Sequence, residues 1–492
     1  MPKTKTFLQS RPAFVFLLPL FFVSHGYVQN YPLIPPSAVL KLVFEYLAVT
    51  LLLTTLFYFI FQSWQKALLF AFFLMCVQFF FGAVHDLLKT WFPGWFIPKY
   101  SFLLPLILAI VVATFLLILK TTSHFKRLTQ YISITLVLLI AIDLVFLCSK
   151  LLSTTKTNNP VTEITGCNDC KKPNIYLIIT DEYAGRKELH DVFSFDNSGF
   201  ENELRKRNFH VVKNPISNYN FTPYSMASIF DMDYLKGITN KANDISNRNI
   251  SYEAINKNTL VNILNSFGYD FVNLSLFDFA GKPGVSNNQF YSTHEKLISS
   301  QTLTARMQKD LWYHLLTSFK FRWAQNNLQN GLVKAFEKKF DRTLSEAEKN
   351  SGSPRFVYTH FIMPHYPYLF DKNGNQLPFE RAQQGDRKDL YLEFLQYCNK
   401  KCLALIDGII SKDKTGPIVI LMSDHGFTKY DPSTMDSSYN FNNVINVYFP
   451  DKNYSGFPDT ISNVNLFRLI LNKQLNQRLP LLKDSSIFLT EY

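Results

Sequence analysis

Five apolar runs, at residues 12–28, 38–61, 67–88, 101–119 and 131–148, fill most of the first 150 residues. Most are long enough to cross a hydrocarbon core, which takes about 20 helical residues. The chain therefore has to begin as a bundle of about five transmembrane helices. The first run is short and lacks a small-residue cleavage site, so it reads as an anchor helix rather than a signal peptide. Beyond residue 150 the composition becomes that of an ordinary globular protein.

Lysine and arginine set the expected orientation. Lys3, Lys5 and Arg11 precede the first run, Lys66 separates the second from the third, and Lys120, Lys126 and Arg127 separate the fourth from the fifth. These segments belong on the cytoplasmic side, which puts everything after Lys150 outside, in a periplasm or its equivalent. Lys89 and Lys99, in an outer loop, run mildly against that pattern. Residues 1–150 hold 11 Lys/Arg against 3 Asp/Glu, so +8 of the net +12 lies there and only +4 in the rest. A domain that close to balance gives no case for nucleic-acid binding.

Glu45 and Asp143 fall inside apolar runs, where a carboxylate is costly and either functional or hydrogen-bonded between helices. Cys76 and Cys148 also fall in the spans. Cys167, Cys170, Cys398 and Cys402 fall on the outer side, where disulfides persist. Structural disulfides of open connectivity are expected there, ahead of a redox or zinc motif.

The outer part is organised around residues 417–426. A buried-strand pattern of apolar and β-branched residues ends there in Ser423-Asp424-His425-Gly426. Residues 174–180 have the same design and end in Asp181-Glu182. In open α/β sheets the C-terminal edge of the strands is where ligands bind. Residues 151–172 read as a polar linker. Strands are also expected at 209–212, 270–276, 355–362 and 444–449, with helices at 195–208, 258–267, 390–411 and 462–471. Residues 303–349 read as mostly helical, with Trp312, Leu315, Leu316, Phe319 and Trp323 at helical spacing, a core stripe or a membrane-facing one. Strands alternating with helices imply an α/β domain with a mostly parallel sheet flanked by helices, spanning residues 173–492.

Thr222 precedes Pro223, which fits a first helical turn, so Thr222 is expected at or beside a helix start where the dipole favours an anion. Asp181, Asp424 and His425 together make a mixed oxygen and nitrogen ligand set for one divalent metal, Zn²⁺ or Mn²⁺. A metal-bound Thr222 hydroxyl would be a nucleophile for phosphorus or sulfur. Each residue alone has an ordinary explanation: Asp after a strand often caps a turn, and Thr before Pro often caps a helix. Their joint occurrence carries the reading.

Four segments in order, NIYLIITDEY (174–183), SNYNFTPYSMAS (217–228), FVYTHFIMPHYPY (356–368) and ILMSDHGF (420–427), resemble the alkaline phosphatase/sulfatase superfamily. The chain most resembles its membrane-anchored branch of lipoteichoic acid synthases and phosphoethanolamine and phosphoglycerol transferases. The resemblance covers residues 173–475 and includes five spans ahead of the domain. It implies that Asp181, Asp424 and His425 are metal ligands, that Thr222 is nucleophile and ligand, and that His365, in preference to His360, meets the transferred group or leaving oxygen. Glu182 departs from the pattern, as either an added ligand or a group facing away. Ordinary sulfatases are similar but carry a Cys or Ser followed by Arg where this chain has Thr222-Pro-Tyr-Ser-Met.

The function so implied is transfer of a phospho-alcohol head group from a membrane phospholipid to an envelope glycan or lipid. The protein would sit in the bacterial inner membrane with its catalytic domain in the periplasm. Two alternatives share the sequence: a membrane-anchored phosphodiesterase or atypical sulfatase, and a catalytically silent envelope-assembly protein.

Overall fold

A computed structural model describes residues 14–31, 33–122, 125–152, 164–167, 169–284, 295–311, 316, 318–319, 321–429 and 436–491. The linker is thus largely outside the described residues, as are Trp312 and Leu315 of the aromatic stripe. The chain divides into two compact units, residues 1–155 with 289–319, and residues 156–288 with 320–492.

In the first unit, helices α1 (Phe14–Gln29), α2 (Pro36–Phe61), α3 (Trp64–Trp91), α4 (Tyr100–Lys120) and α5 (Lys126–Leu152) correspond to the five apolar runs. The last four are long and apolar enough to cross a membrane; the described part of α1 is shorter, at 16 residues. α1 is nevertheless packed against its neighbours, with Phe14, Val15, Leu18, Val23 and Val28 buried. The outward faces of α2, α4 and α5 carry exposed Leu, Ile, Val and Phe, as lipid-facing helices must. Residues 295–311 also belong to this unit. Ile298 is buried with Val23, Ile34 and Leu42, Gly82 N donates to Gln301 O at 2.8 Å, and Arg306 pairs with Asp86 at 2.6 Å. The described residues of 303–349 are mostly helical, as expected, but in separate pieces: a four-residue helix, Leu303–Arg306, and a π-helical turn, Met307–Leu311, lie in the first unit, and α7 (Arg322–Glu348) lies in the second.

The second unit is an α/β layer. Its strands are β1 (Ile175–Thr180), β2 (His210–Val211), β3 (Asn214–Ile216), β4 (Asp270–Leu274), β5 (Arg355–Phe361), β6 (Ile418–Ser423), β7 (Ile445–Tyr448) and β8 (Thr460–Ser462). Helix α6 (Thr222–Asp231) precedes β4; α8 (Lys388–Lys412) and α9 (Asn463–Gln474) follow β5 and β8 respectively. The main sheet has the order β2-β7-β6-β1-β5-β4, and β3 pairs with β8 in a two-stranded sheet. β6, β1, β5 and β4 are parallel, while β7 runs against its neighbours. β1, β5 and β6 are buried along their whole length, which is why they read as continuous apolar runs rather than alternating ones.

The cysteines also resolve. Cys167 and Cys170 form a disulfide, whereas Cys398 and Cys402 are free and buried one turn apart on α8, with Sγ atoms 3.8 Å apart. The expectation of disulfides thus holds for the first pair and not for the second, because α8 carries both thiols into the apolar core.

Candidate active site and metal centre

Register brings the two strand ends together. Thr180 of β1 pairs with Ser423 of β6 on one side and with Phe361 of β5 on the other. Asp181 and Asp424 therefore leave the sheet at the same level, at its C-terminal edge. Ligand atoms of Asp181, Asp424 and His425 all lie within 4.8 Å of one another, and all three side chains are buried. His425 Nδ1 donates to the Gly426 carbonyl at 2.7 Å, which turns the Nε2 lone pair inward, 3.3 Å from Asp424 Oδ2. A hydrogen bond on one ring nitrogen is how a metal-binding imidazole is oriented.

Thr222 is the first residue of α6, with Phe221 as its N-cap, and its side chain caps nothing. Instead Oγ1 lies 3.2 Å from His425 Nε2 and 3.5 Å from Asp181 Oδ1. Ser225, one turn on, donates to the Asp424 carbonyl at 2.6 Å, and Asn463 donates to the same oxygen at 2.9 Å. These bonds tie the start of α6 and of α9 to the end of β6.

Glu182 is not among the three clustered candidate ligands. Its backbone is left-handed, φ +60°, a conformation that costs a non-glycine residue about 1 kcal/mol or more and persists only where surroundings enforce it. Here Asp424 Oδ1 accepts its N–H at 3.0 Å, Tyr391 donates to its carbonyl at 2.8 Å, and its Oε1 accepts from Thr428 N at 2.9 Å. The charge of Glu182 braces the turn that aims Asp181.

Two histidines flank Asp181. His360, on β5 and fully buried, holds Nε2 3.5 Å from Asp181 Oδ2, while Nδ1 lies 2.8 Å from the Tyr358 hydroxyl. His365 is half-buried; its backbone N–H reaches the Asp181 carbonyl at 3.2 Å, and its Nε2 lies 3.7 Å from Glu182 Oε2. Of the two, it is His360 that comes nearer to the Asp181 carboxylate. Sequence reasoning also missed Lys339, on α7, whose ammonium donates to the His360 carbonyl at 2.6 Å. Burial pulls that ammonium down to about 7, against the Asp181 charge, which raises it. No local pattern marks Lys339, because only the packing of α7 on β5 brings it there.

The charges are closely balanced. Burial pushes the Asp181 carboxyl up, but His365, His360 and His425 more than offset it and hold it at about 2. Asp424 is raised, by burial first and also by Asp181, although His425 and His360 oppose this. Burial lowers His425, yet Asp424, Asp181 and Glu182 outweigh it and raise it. Asp424 Oδ2 and His360 Nε2 are buried with no hydrogen-bond partner, a cost native proteins seldom leave uncompensated. A divalent cation fits this donor set: two carboxylates and an imidazole, one carboxylate oxygen lacking a hydrogen bond.

No family model matches the chain, and no curated protein matches it. Among solved structures, the chain is similar to the C-terminal periplasmic domain of EcEptC from Escherichia coli in complex with Zn, at 13% identity over 63% of this chain and 86% of that one, with TM-score 0.38. It is also similar to the periplasmic domain of phosphoethanolamine transferase EptC from Campylobacter jejuni, at 14% identity over 62% and 91%, TM-score 0.35. A third is the phosphonate monoester hydrolase of Agrobacterium radiobacter, at 12% identity over 61% and 73%, TM-score 0.38.

Proposed function

We propose that the protein is a membrane-anchored transferase of the alkaline phosphatase/sulfatase superfamily. It moves a phospho-alcohol head group, of phosphoethanolamine or phosphoglycerol type, from a membrane phospholipid to an envelope glycan or lipid. The observation that carries this is the position of Thr222 Oγ1, buried, free of any capping role, and 3.2 Å from His425 Nε2.

Asp181, Asp424 and His425 would hold one divalent ion, Zn²⁺ or Mn²⁺, which when bound supplies positive charge to lower the Thr222 pKa and offset charge on the phosphoryl oxygens. The remaining chemistry belongs to side chains. The Thr222 oxygen attacks phosphorus, forming a Thr–O–P bond as the phosphorus–oxygen bond to diacylglycerol breaks. His365, at the rim, gives the leaving oxygen its proton. In the second half the acceptor hydroxyl attacks phosphorus and gives its proton back to His365 as the phosphorus–oxygen bond to Thr222 breaks. The positive end of the α6 dipole favours the anionic group in both halves. Asp181, in the state held at about 2, stays ionised beside the nucleophile.

Placement outside the inner membrane, in a periplasm, is supported by the Lys/Arg pattern. It is supported too by residues 295–311, which continue from the outer domain and pack near Gly82, Asp86 and Ile34, at the helix ends that the pattern puts outside. Vesicles of phosphatidylethanolamine or phosphatidylglycerol, given to the purified protein without acceptor, test the reading. A head-group phosphate on the Thr222 peptide by mass spectrometry is expected; an unmodified peptide together with full turnover refutes it.

A further inference from the structure

The end of β5 holds the backbone of Asp181 at both of its polar groups. Its N–H donates to the Phe361 carbonyl at 3.0 Å, and its carbonyl accepts from the His365 N–H at 3.2 Å. These bonds fix where the side chain starts and leave the carboxylate its own two torsions. Two side chains then meet the carboxylate: Thr222 Oγ1 lies 3.5 Å from Oδ1, and His360 Nε2 lies 3.5 Å from Oδ2. His360 is itself firmly placed. It sits opposite Ile179 in the pairing of β5 with β1, and Lys339 donates to its carbonyl at 2.6 Å. Tyr358, two residues back on the same face of β5, brings its hydroxyl 2.8 Å from His360 Nδ1. Both rings are fully buried.

His360 Nε2 has no hydrogen bond. A buried ring nitrogen in that state is costly, and an apolar side chain would fill the same space without desolvating an imidazole. Packing alone therefore does not account for a histidine here. A carboxylate that serves as a metal ligand offers lone pairs only. A lone pair on Nε2 would face another lone pair at 3.5 Å, whereas an Nε2–H faces an acceptor. The neutral ring thus carries its proton on Nε2, with the Tyr358 hydroxyl donating to Nδ1. His360 stands outside the group of candidate ligands, Asp181, Asp424 and His425, whose ligand atoms lie within 4.8 Å of one another.

We propose that His360 is a positioning residue for Asp181. Its Nε2–H restrains Oδ2 and leaves Oδ1, on the Thr222 side, as the oxygen that serves the cation and the nucleophile. Tyr358 acts one step further back, by fixing the tautomer of His360. The role rests on Asp181 being a metal ligand and deepens that reading, because it assigns the two carboxylate oxygens different tasks.

Zn²⁺ affinity of the purified full chain, measured by competition with a chromogenic chelator, reads this without reference to turnover. His360→Leu is expected to weaken Zn²⁺ binding roughly tenfold or more, the usual cost of removing a group that orients a metal ligand. His360→Gln keeps an amide donor near the Nε2 position and is expected to recover most of that loss. Tyr358→Phe, which leaves the imidazole in place, is expected to fall between the two. The visible absorption of the Co²⁺-loaded protein should shift in the leucine variant and stay near the parental spectrum in the glutamine variant. Thermal unfolding with excess chelator keeps loss of fold separate from loss of metal, and Tyr358→Phe carries the test if the leucine variant does not fold. Parental affinity in His360→Leu overturns the proposal, and so does an equal loss in the leucine and glutamine variants, since a donor at that position would then count for nothing. A parent protein that binds no Zn²⁺ overturns the ligand reading and the role of His360 with it. Tight Zn²⁺ that weakens in His360→Leu, in a parent that transfers no head group, overturns the transferase reading and leaves His360 in its role.

Discussion

The side-chain amide of Asn220 clasps the backbone of Leu489: Nδ2 donates to the Leu489 carbonyl at 3.0 Å and Oδ1 accepts the Leu489 N–H at 2.9 Å. Two residues before Thr222, the loop is thereby joined to a segment 269 positions away. Ile487 N adds a bond to the Asn218 carbonyl at 2.9 Å. Asn220→Ala should leave both Leu489 groups without their partner, costing about 1–3 kcal/mol. Activity is expected to fall with metal content unchanged. Thermal unfolding alongside metal analysis checks this; equal Tm values would show that the clasp is idle.

Thr222→Ala should abolish transfer while the fold survives, since its hydroxyl caps no helix. Thr222→Ser retains a hydroxyl and should keep partial activity. Full activity in the alanine variant would remove the covalent mechanism.

Asp424→Asn should cost well over tenfold in metal affinity, since even changes in the groups around metal ligands cost about 10–100-fold. Elemental analysis of the purified protein gives the answer, and undiminished metal would show that the ligand assignment is wrong.

Gly426 follows His425 in a space with no room for a side chain. A Cβ there would meet Tyr439 O at 2.5 Å, Glu188 Oε2 at 2.6 Å and Asn442 O at 2.7 Å. Gly426→Ala should therefore destabilise the protein by about 1–3 kcal/mol, the usual cost of overpacking. The Nδ1 bond that orients His425 ends on this residue's carbonyl, so activity should fall with stability. A variant with parental Tm would contradict the packing.

Asp231, the last residue of α6, is raised to about 6, by burial first, against hydrogen bonds from Thr259. A raised carboxyl contributes stability that is present below its unfolded value near 3.9 and is lost as pH climbs through about 6. Asp231→Asn keeps an acceptor for Thr259 and removes the charge. It should raise Tm by a few degrees at pH 8 and leave it unchanged near pH 4. A Tm gain equal at both pH values would locate the effect elsewhere.

Periodicity and composition made much of this protein legible in the sequence. Unbroken apolar runs have few physical outcomes, a membrane helix or a strand buried on both faces, so five helices and the strands bearing Asp181 and Asp424 follow directly. Gly426 and Pro223 mark where strand stops and helix starts. What the sequence could not rank was anything decided by non-local packing. Cys398 and Cys402 face the core because of how α8 lies on the sheet. Residues 295–311 return to the membrane helices through contacts such as Gly82 with Gln301, more than 200 positions apart. His360 stands nearer the Asp181 carboxylate than His365 because β5 pairs directly with β1. Lys339 and Asn220 reach the site only through tertiary contacts. The sequence by itself determined which residue types end the central strands; the parallel register of β1 with β6, with the start of α6 tied to Asp424, decided that Asp181, Asp424, His425 and Thr222 share one small volume. Register depends on pairing energies summed over whole strands, and no local window contains them.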